Sequence, residues 1–205
     1  MCIKVVVLDT LRLWTTVAAV LAFACYAPSA DARVREEPVF ANSPDDVALR
    51  NRLVALSPSV RGDEAKQVTQ CAYTTGREMA REWRVVWPPG VQNFLVNIGA
   101  RKGGLCFQWA VALLLRLDAL KLQTLELHWA ESFIGTPSEH NVIVVTAKGQ
   151  PFEQGILLDN WRYGGHLAWG PVAGDPHYKW KENSAEMARR LKTRSIEASQ
   201  VERAR

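Results

Sequence analysis

A long, almost wholly apolar stretch from Leu105 to Leu117 constrains the fold of this chain more than any other feature. Only Gln108 and Arg116 interrupt the stretch, which is the pattern of a helix buried on most of its circumference. Gly103-Gly104 comes just before it and allows the backbone to turn sharply into the helix. The sequence therefore predicts a central buried helix that other elements must enclose.

Two helices are predicted ahead of this buried helix. The first begins at Ser43-Pro44, a capping residue followed by a proline, and ends at Ser57-Pro58. The second runs from near Asp63 to Trp83, because apolar residues recur there at spacings of three and four. Residues 91–100 are predicted to form a short helix or an irregular segment.

Strands are predicted after the buried helix. Alternating apolar and β-branched residues favour strands over residues 123–129, 141–146 and 155–158. Gly164-Gly165 and Gly170-Pro171 predict loops. The order of helices followed by strands indicates an α+β fold, in which a Cys-bearing helix packs against an antiparallel sheet and further helices lie N-terminal to it.

The composition is that of an ordinary globular protein, with 48% hydrophobic and 22% charged residues in a chain of 205. The net charge of +4 is too mild and too dispersed to argue for nucleic acid, so no nucleic-acid partner is predicted. Eight tryptophans are many for this length, so we expect either a large aromatic core or an aromatic-lined groove.

The N-terminal segment has the pattern of an export signal. Lys4 and Arg12 supply positive charge ahead of an apolar segment, and Ala30-Asp31-Ala32 fits a small-x-small cleavage site. We therefore predict a signal peptide over residues 1–32 and an exported, periplasmic or cell-envelope protein. An uncleaved anchor is the alternative. Lipid attachment at Cys25 is a further one, and it is the only route by which we predict membrane contact.

Beyond the signal, the predicted parts are a linker over residues 33–42, a folded domain over 43–181 and a charged tail over 182–205. The tail is charged and weakly periodic, which predicts a frayed helix or a disordered end. This mature chain keeps two cysteines, Cys71 and Cys106. In an oxidising compartment the two could form one disulfide, and this structural role is an alternative to a catalytic Cys106.

Cys106 would lie in the first turn of the buried helix, facing unpaired backbone N–H groups and the positive end of the helix dipole. That position lowers the pKa of a thiol and favours the nucleophilic thiolate. His140 opens a predicted strand, where it would be held as rigidly as a general base must be. Asp159 follows the next strand and could orient the imidazole. Cys106, His140 and Asp159 are therefore predicted to form a catalytic triad.

The Gly-x-Cys-aromatic-x-Trp helix start at residues 104–109, the His that opens a strand and the Asp that closes the next resemble the papain-like transglutaminase superfamily. The resemblance covers roughly residues 90–180 and is closest to the bacterial transglutaminase-like cysteine proteinases. It implies a Cys-bearing helix on an antiparallel sheet, with Cys106 as nucleophile, His140 as base and Asp159 as orienting acid. Periplasmic members of that group typically carry acidic residues beside the cysteine, associated with calcium. Leu105 and Phe107 stand there instead, so no calcium site is carried over.

The remaining site predictions concern the neighbours of this triad. The candidates for an oxyanion-hole amide are Asn97, Asn93 and Gln92. Trp109 and Trp161 are candidates for the groove. We predict no metal site and no cofactor, since the other histidines lack ligand spacing to cysteine. His128, His166 and His177 are rival bases of lower rank, because one lies inside an alternating strand and two lie in Gly/Pro-rich loops.

Three functions are compatible with these residues. The first is an exported cysteine hydrolase, a peptidase or amidase acting through an acyl-thioester on a peptide or protein, with acyl transfer as an option. The second is an inactive transglutaminase-like envelope module that binds peptide or glycan. The third is a disulfide-bonded structural domain.

Overall fold

The computed structural model describes residues 46–203, with side chains described as far as residue 193. The predicted signal peptide, the linker, Cys25 and the Ser43 cap lie outside the described residues. The described residues belong to one compact unit of mixed α+β architecture, with five α-helices and an antiparallel five-stranded sheet. No helix within residues 46–203 is both long and apolar enough to cross a membrane.

Four helices precede the sheet, and the fourth is the predicted buried helix. They are α1 (Asp46–Val54), α2 (Gly62–Glu82), α3 (Pro89–Asn97) and α4 (Cys106–Asp118). Helix α4 packs on α2 on one side and on the sheet on the other, which encloses its apolar surface as its sequence requires. The segment that could have been irregular is the helix α3, with Pro89 in its first turn.

The sheet is a chain of antiparallel pairings in the order β4-β3-β2-β1-β5. Its strands are β1 (Leu125–Ser132), β2 (His140–Ala147), β3 (Ile156–Tyr163), β4 (His166–Pro171) and β5 (Lys181–Glu182). The central strand β2 is buried along its whole length, which explains why its sequence is almost continuously apolar.

Both faces of the sheet are covered. The larger core lies between the sheet and the helices, and includes Leu113 and Leu117 of α4 against Trp129, Ile143 and Leu158. A smaller apolar cluster covers the opposite face, where two short 3-10 turns and a partly buried tryptophan close it. Its members are Ala130, Val142, Val144, Phe152, Leu157, Ala168 and Val172, with Tyr163 and Trp180 against them.

Three segments differ from the sequence prediction. Asp159, predicted to follow a strand, lies within β3, and the loop predicted at Gly170-Pro171 is the end of the strand β4. A strand, β4, follows Gly164-Gly165, because the two glycines form the turn of a hairpin that pairs Tyr163 with His166. The predicted domain boundary at residue 181 lies within β5, and helix α5 (Ser184–Arg203) follows it. Met187 and Leu191 of α5 pack against the larger core, which holds this charged segment on the domain.

Candidate active site

Cys106 is the first residue of α4, and the turn that leads into it cannot carry side chains. A Cβ on Gly103 would meet the Trp83 ring at 2.7 Å, and one on Gly104 would meet Gln92 Cγ at 2.7 Å. Gly104 also has a φ of 122°, which a side chain would strain. The two glycines are therefore required where the loop passes beneath neighbouring side chains to present the thiol.

The side chain of Gln108 fixes the start of α4. Its Oε1 accepts hydrogen bonds from the backbone N–H groups of Gly104 at 2.9 Å and Leu105 at 3.0 Å. The backbone N–H of Cys106, at the first helical position, has no carbonyl one turn earlier to bond, so it is available to a ligand. The thiol therefore lies beside an N–H donor at the positive end of a helix.

His140 and Asp159 lie on adjacent strands and share one face of the sheet. Val144 of β2 pairs with Leu157 of β3, and side chains alternate along each strand. His140 and Asp159 lie an even number of residues from these partners, so both side chains project on the face of the smaller cluster. His140 Nε2 and Asp159 Oδ2 are 2.7 Å apart, and both residues are buried, with 1% and 2% exposed.

Asp159 is stabilised as an anion because both of its carboxylate oxygens accept hydrogen bonds. Its Oδ1 accepts from the backbone N–H groups of Trp161 and Arg162, at 2.9 and 3.1 Å, and its Oδ2 accepts from Arg162 Nε at 3.1 Å as well as from His140. Burial raises the pKa of Asp159, but the charge and hydrogen bond of His140, with Arg162, outweigh burial and lower it to about 2. An ionised carboxylate can only accept, so His140 Nε2 carries a proton.

The other ring nitrogen of His140 remains for the thiol. Nδ1 is buried and has no hydrogen-bond partner of good geometry among the described residues. Burial lowers the pKa of His140, but Asp159 and then Cys106 outweigh it and raise the pKa to about 9. Burial likewise raises the pKa of the Cys106 thiol, but the hydrogen bond and charge of His140, followed by Asn141, bring it below its ordinary value. Each group therefore favours the charged form of the other, the thiolate at Cys106 and the imidazolium at His140.

The thiol itself is half-buried and contacts the residues on both sides of His140 in the chain. Cys106 Sγ lies 3.5 Å from the carbonyl oxygen of Glu139 and 3.8 Å from Nδ2 of Asn141. The start of β2 thus surrounds the sulfur with one carbonyl and one amide. The structure brings Cys106, His140 and Asp159 into one connected group.

Aromatic rings enclose the imidazole. The ring centroids of Trp161, Tyr178 and Trp180 lie 4.6, 4.9 and 5.4 Å from that of His140. Tyr178 and Trp180 stack on each other at 5.0 Å. These rings keep water away from the bond between His140 and Asp159, which strengthens it.

A second buried carboxylate, Asp175, is linked to Asp159 through Arg162. Arg162 Nη2 lies 2.7 Å from Asp175 Oδ2, and Trp180 Nε1 donates to the same oxygen at 3.1 Å. Arg162 therefore bridges two buried carboxylates, and one of its faces lies over the Tyr178 ring at 4.9 Å. This network fixes the loop that carries two of the three rings around His140.

The predicted oxyanion-hole amides occupy three different positions. Gln92 is buried and bridges two backbone groups, donating to the Gly103 carbonyl at 2.7 Å and accepting from the Val86 N–H at 3.0 Å. Asn93 accepts from Trp161 Nε1 at 3.2 Å and so holds that ring. Asn97 is exposed at the end of α3.

The two predicted groove tryptophans have different positions. Trp109 is buried, donates to the Gly104 carbonyl at 3.1 Å and meets the Trp83 ring edge-on at 4.8 Å. It therefore braces the loop before Cys106. Trp161 lies half-buried over His140, beside the site.

The remaining histidines and cysteine lie elsewhere. His128 bridges Thr146 at 2.9 Å and Glu182 at 2.7 Å inside the sheet. His166 is exposed at the hairpin turn, and His177 is exposed in the loop before Tyr178. Cys71 and Cys106 are both free thiols. Within the described residues, no group of three or more His, Cys, Asp and Glu is placed to hold a metal ion.

Several residues of the site are not among those predicted from the sequence. Asn141, Arg162 and Asp175 bond to the triad or to its supports, and Tyr178 and Trp180 complete the aromatic enclosure. Asn141 follows the predicted base directly and could have been identified by that position. Arg162 lies near the end of β3, and the other three lie between β4 and β5, in a segment whose return to His140 no local pattern predicts.

Comparisons with known proteins found no match: no family model, no curated protein and no solved structure matches this chain.

Proposed function

We propose that this protein is a thiol hydrolase with a papain/transglutaminase-like fold, which cleaves amide or ester bonds through Cys106, His140 and Asp159. The observation that carries the proposal is the buried His140, whose Nε2 is bound to an ionised Asp159 while its Nδ1 is left for the Cys106 thiol. A histidine held in this way between an acid and a thiol has the arrangement of a nucleophile, base and orienting group.

The reaction would proceed in two steps. The Cys106 thiolate attacks the carbonyl carbon, and the imidazolium of His140 gives its proton to the leaving amine or alcohol as the acyl-thioester forms. Water then attacks the thioester, His140 takes its proton, and the acid product leaves with the thiolate restored. Asp159 keeps the imidazole in one orientation throughout and remains ionised.

The oxyanion of each tetrahedral intermediate would be bound by the backbone N–H of Cys106. This donor is supported by its place at the first position of α4, where no helical carbonyl competes for it. Gln92 is already bonded to two backbone groups, so it is better suited to shaping the loop than to binding an oxyanion.

A peptide or protein substrate is favoured by the surface next to the thiol. The β1–β2 loop, which ends at the Glu139 carbonyl beside Cys106, exposes 50% of Phe133 and 55% of Ile134. A cavity of about 470 Å³ lies between this loop and the loop of Tyr178, lined by Phe133, Ser138, Arg162, Tyr163, His177 and Tyr178. Exposed apolar side chains beside a polar cavity suit a polypeptide better than a small polar amide. The N-terminal pattern supports an exported enzyme acting in the cell envelope.

The proposal can be tested with p-nitrophenyl acetate as an acyl donor. Wild-type protein should release a burst of p-nitrophenol, and mass spectrometry of the digested protein should show acetylated Cys106. Cys106→Ala should abolish both signals. Cys71→Ala is the matched control, since it removes a half-buried thiol on α2 that has no histidine partner, and it should behave as wild type. Equal acetylation of the two cysteines would refute the proposal.

Peptide mixtures then separate hydrolysis from binding alone. If the protein is a hydrolase, the wild type and Cys71→Ala should cleave peptides and Cys106→Ala should not. An inactive binding module would instead retain peptide in all three proteins and release no new termini.

A further inference from the structure

The side chain of Asn141 lies beside the Cys106 sulfur but has no role in the proposed mechanism so far. Asn141 is buried, and its Nδ2 lies 3.8 Å from Cys106 Sγ, which is within hydrogen-bond range for sulfur. It comes from the residue directly after His140, so it approaches the thiol from the same strand as the base. Its amide can either donate to the sulfur or turn its oxygen towards it, and the two orientations have opposite effects on a thiolate.

The other contacts of Asn141 decide this orientation. Trp129 Nε1 lies 3.1 Å from Oδ1, and an indole N–H can only donate. Glu139 Oε1 lies 3.3 Å from Nδ2, and a carboxylate accepts. Both contacts require the oxygen to face the indole, so the NH₂ group faces the sulfur.

The indole that orients Asn141 is itself held in place. Trp129 is fully buried, and its Nε1 is shared with Glu131 Oε1 at 3.0 Å. The other oxygen of Glu131 accepts from Asn183 Nδ2 at 2.9 Å, in the residue before α5. A chain of hydrogen bonds therefore runs from the segment preceding α5 through Glu131 and Trp129 to the amide beside the thiol.

We propose that Asn141 is a catalytic residue whose amide donates a hydrogen bond to the Cys106 thiolate, and that Trp129 is the positioning residue that keeps this amide turned towards the sulfur. The inference rests on the proposed function of Cys106 as nucleophile. A donor binds an anionic acceptor more strongly than a neutral one, so the contact favours the thiolate over the thiol.

Other charged groups surround this part of the site, and they belong to residues that the Asn141 variants leave unchanged. His140 faces it from β2, and Glu139 brings a carboxylate that Gly135 N–H also holds at 2.9 Å. From α5, Arg190 lies over the Phe107 ring at 5.4 Å. Asn141→Ala therefore removes one neutral donor and adds or removes no charge, while Glu139 Oε1 loses its 3.3 Å contact with Nδ2.

The test is the pH dependence of Cys106 alkylation by iodoacetamide, which needs no substrate. Asn141→Ala should move the midpoint up by about 0.5 to 1 pH unit, and should slow alkylation about three- to tenfold below both midpoints. Asn141→Asp keeps the size of the side chain but replaces the donor by a carboxylate, so it should raise the midpoint further. Trp129→Phe, which lacks the indole N–H, should raise the midpoint by less.

Thr146→Val is the matched control, because Thr146 is buried in the same strand but bonds to His128. Its alkylation profile should match wild type. An unchanged midpoint in Asn141→Asp, or an equal shift in Thr146→Val, would overturn the role of Asn141. A further upward shift when Trp129→Phe is added to Asn141→Ala would overturn the positioning role of Trp129. Failure of the proposed function looks different, since wild-type Cys106 would then be neither acylated nor alkylated faster than Cys71.

Discussion

Replacing Cys106 with serine should change how the stability of the fold depends on pH. Two opposite proton exchanges accompany unfolding of the wild type. The pKa of His140 is raised in the fold from 6.5 to about 9, so its contribution is fully present below pH 6.5 and is lost as the pH rises to about 9. The pKa of Cys106 is lowered from 9.0, so its contribution is present above 9.0 and is lost as the pH falls through the folded value. The two slopes have opposite signs.

Serine does not ionise, so the variant keeps only the slope of His140. One bound proton corresponds to about 1.4 kcal/mol per pH unit, and the free energy of unfolding should fall with that slope as the pH rises. Across the window from 6.5 to about 9, the loss is at most about 3.5 kcal/mol. It is an upper bound because Cys106 is one of the groups that raise the pKa of His140, behind Asp159. The free energy of unfolding of the wild type should change less with pH wherever the Cys106 thiol is ionised in the folded protein but protonated in the unfolded chain.

The assay is urea unfolding of both proteins, under reducing conditions, at closely spaced pH values across this window. Subtracting the two curves removes every group that they share, including Cys71. Adding Asp159→Asn to the serine variant removes the partner that raises the pKa of His140, and should flatten the curve again. If the free energy of unfolding depends on pH in the same way in wild type and Cys106→Ser, the Cys106 thiol does not change its ionisation on folding. That result would refute the reasoning.

Three further changes test other parts of the site. Asp159→Asn should lower p-nitrophenyl acetate turnover by about 10²-fold or more, because the imidazolium loses its counter-charge, and unchanged turnover would remove the acid from the mechanism. Gly104→Ala should cost about 2 kcal/mol or more in urea unfolding, whereas Gly90→Ala, which meets no neighbour, should cost nothing. Gln92→Met should cost about 2 kcal/mol or more by leaving two backbone groups unbonded, whereas the exposed Asn97→Ala should stay within about 0.5 kcal/mol of wild type in the same assay.

Helix α4 and the two site strands could be predicted because their signals are local. An apolar run after two glycines predicts a buried helix, and the structure begins it at Cys106. β-branched residues after His140 predict a strand, and the structure begins it at His140. Asp159 was expected after a strand, but it lies inside β3, because pairing with β4 extends that strand as far as Tyr163.

The missed strand β4 had a signal in the sequence. Gly164 and Gly165 have φ values of 61° and 103°, and they join paired residues Tyr163 and His166. Two consecutive residues with positive φ form the tight turn typical of a hairpin, for which two glycines are suited. The loop predicted at these glycines is instead the turn that joins β3 to β4.

The supports around His140 could not be predicted in the same way. Tyr178 and Trp180 lie in an irregular segment that Asp175 and Arg162 fix against the site. Their approach depends on the ion pair rather than on periodicity, and spacing along the chain does not encode it. The role of Gln92 depends similarly on which backbone groups its amide meets once the loop is formed.

The two free cysteines show why burial alone does not make a nucleophile. Burial raises the pKa of the Cys71 thiol, and its Thr75 neighbour at 4.0 Å only partly offsets this, so Cys71 stays protonated more readily than an exposed thiol. Burial also raises the pKa of Cys106, but there a histidine and an asparagine amide outweigh it. The thiols lie on helices packed against each other, and what separates their reactivity is the strand that meets one and not the other. Selective chemistry at Cys106 therefore depends on the start of β2, so a substitution that shifts this strand should reduce the difference in alkylation rate between the two cysteines without unfolding either helix.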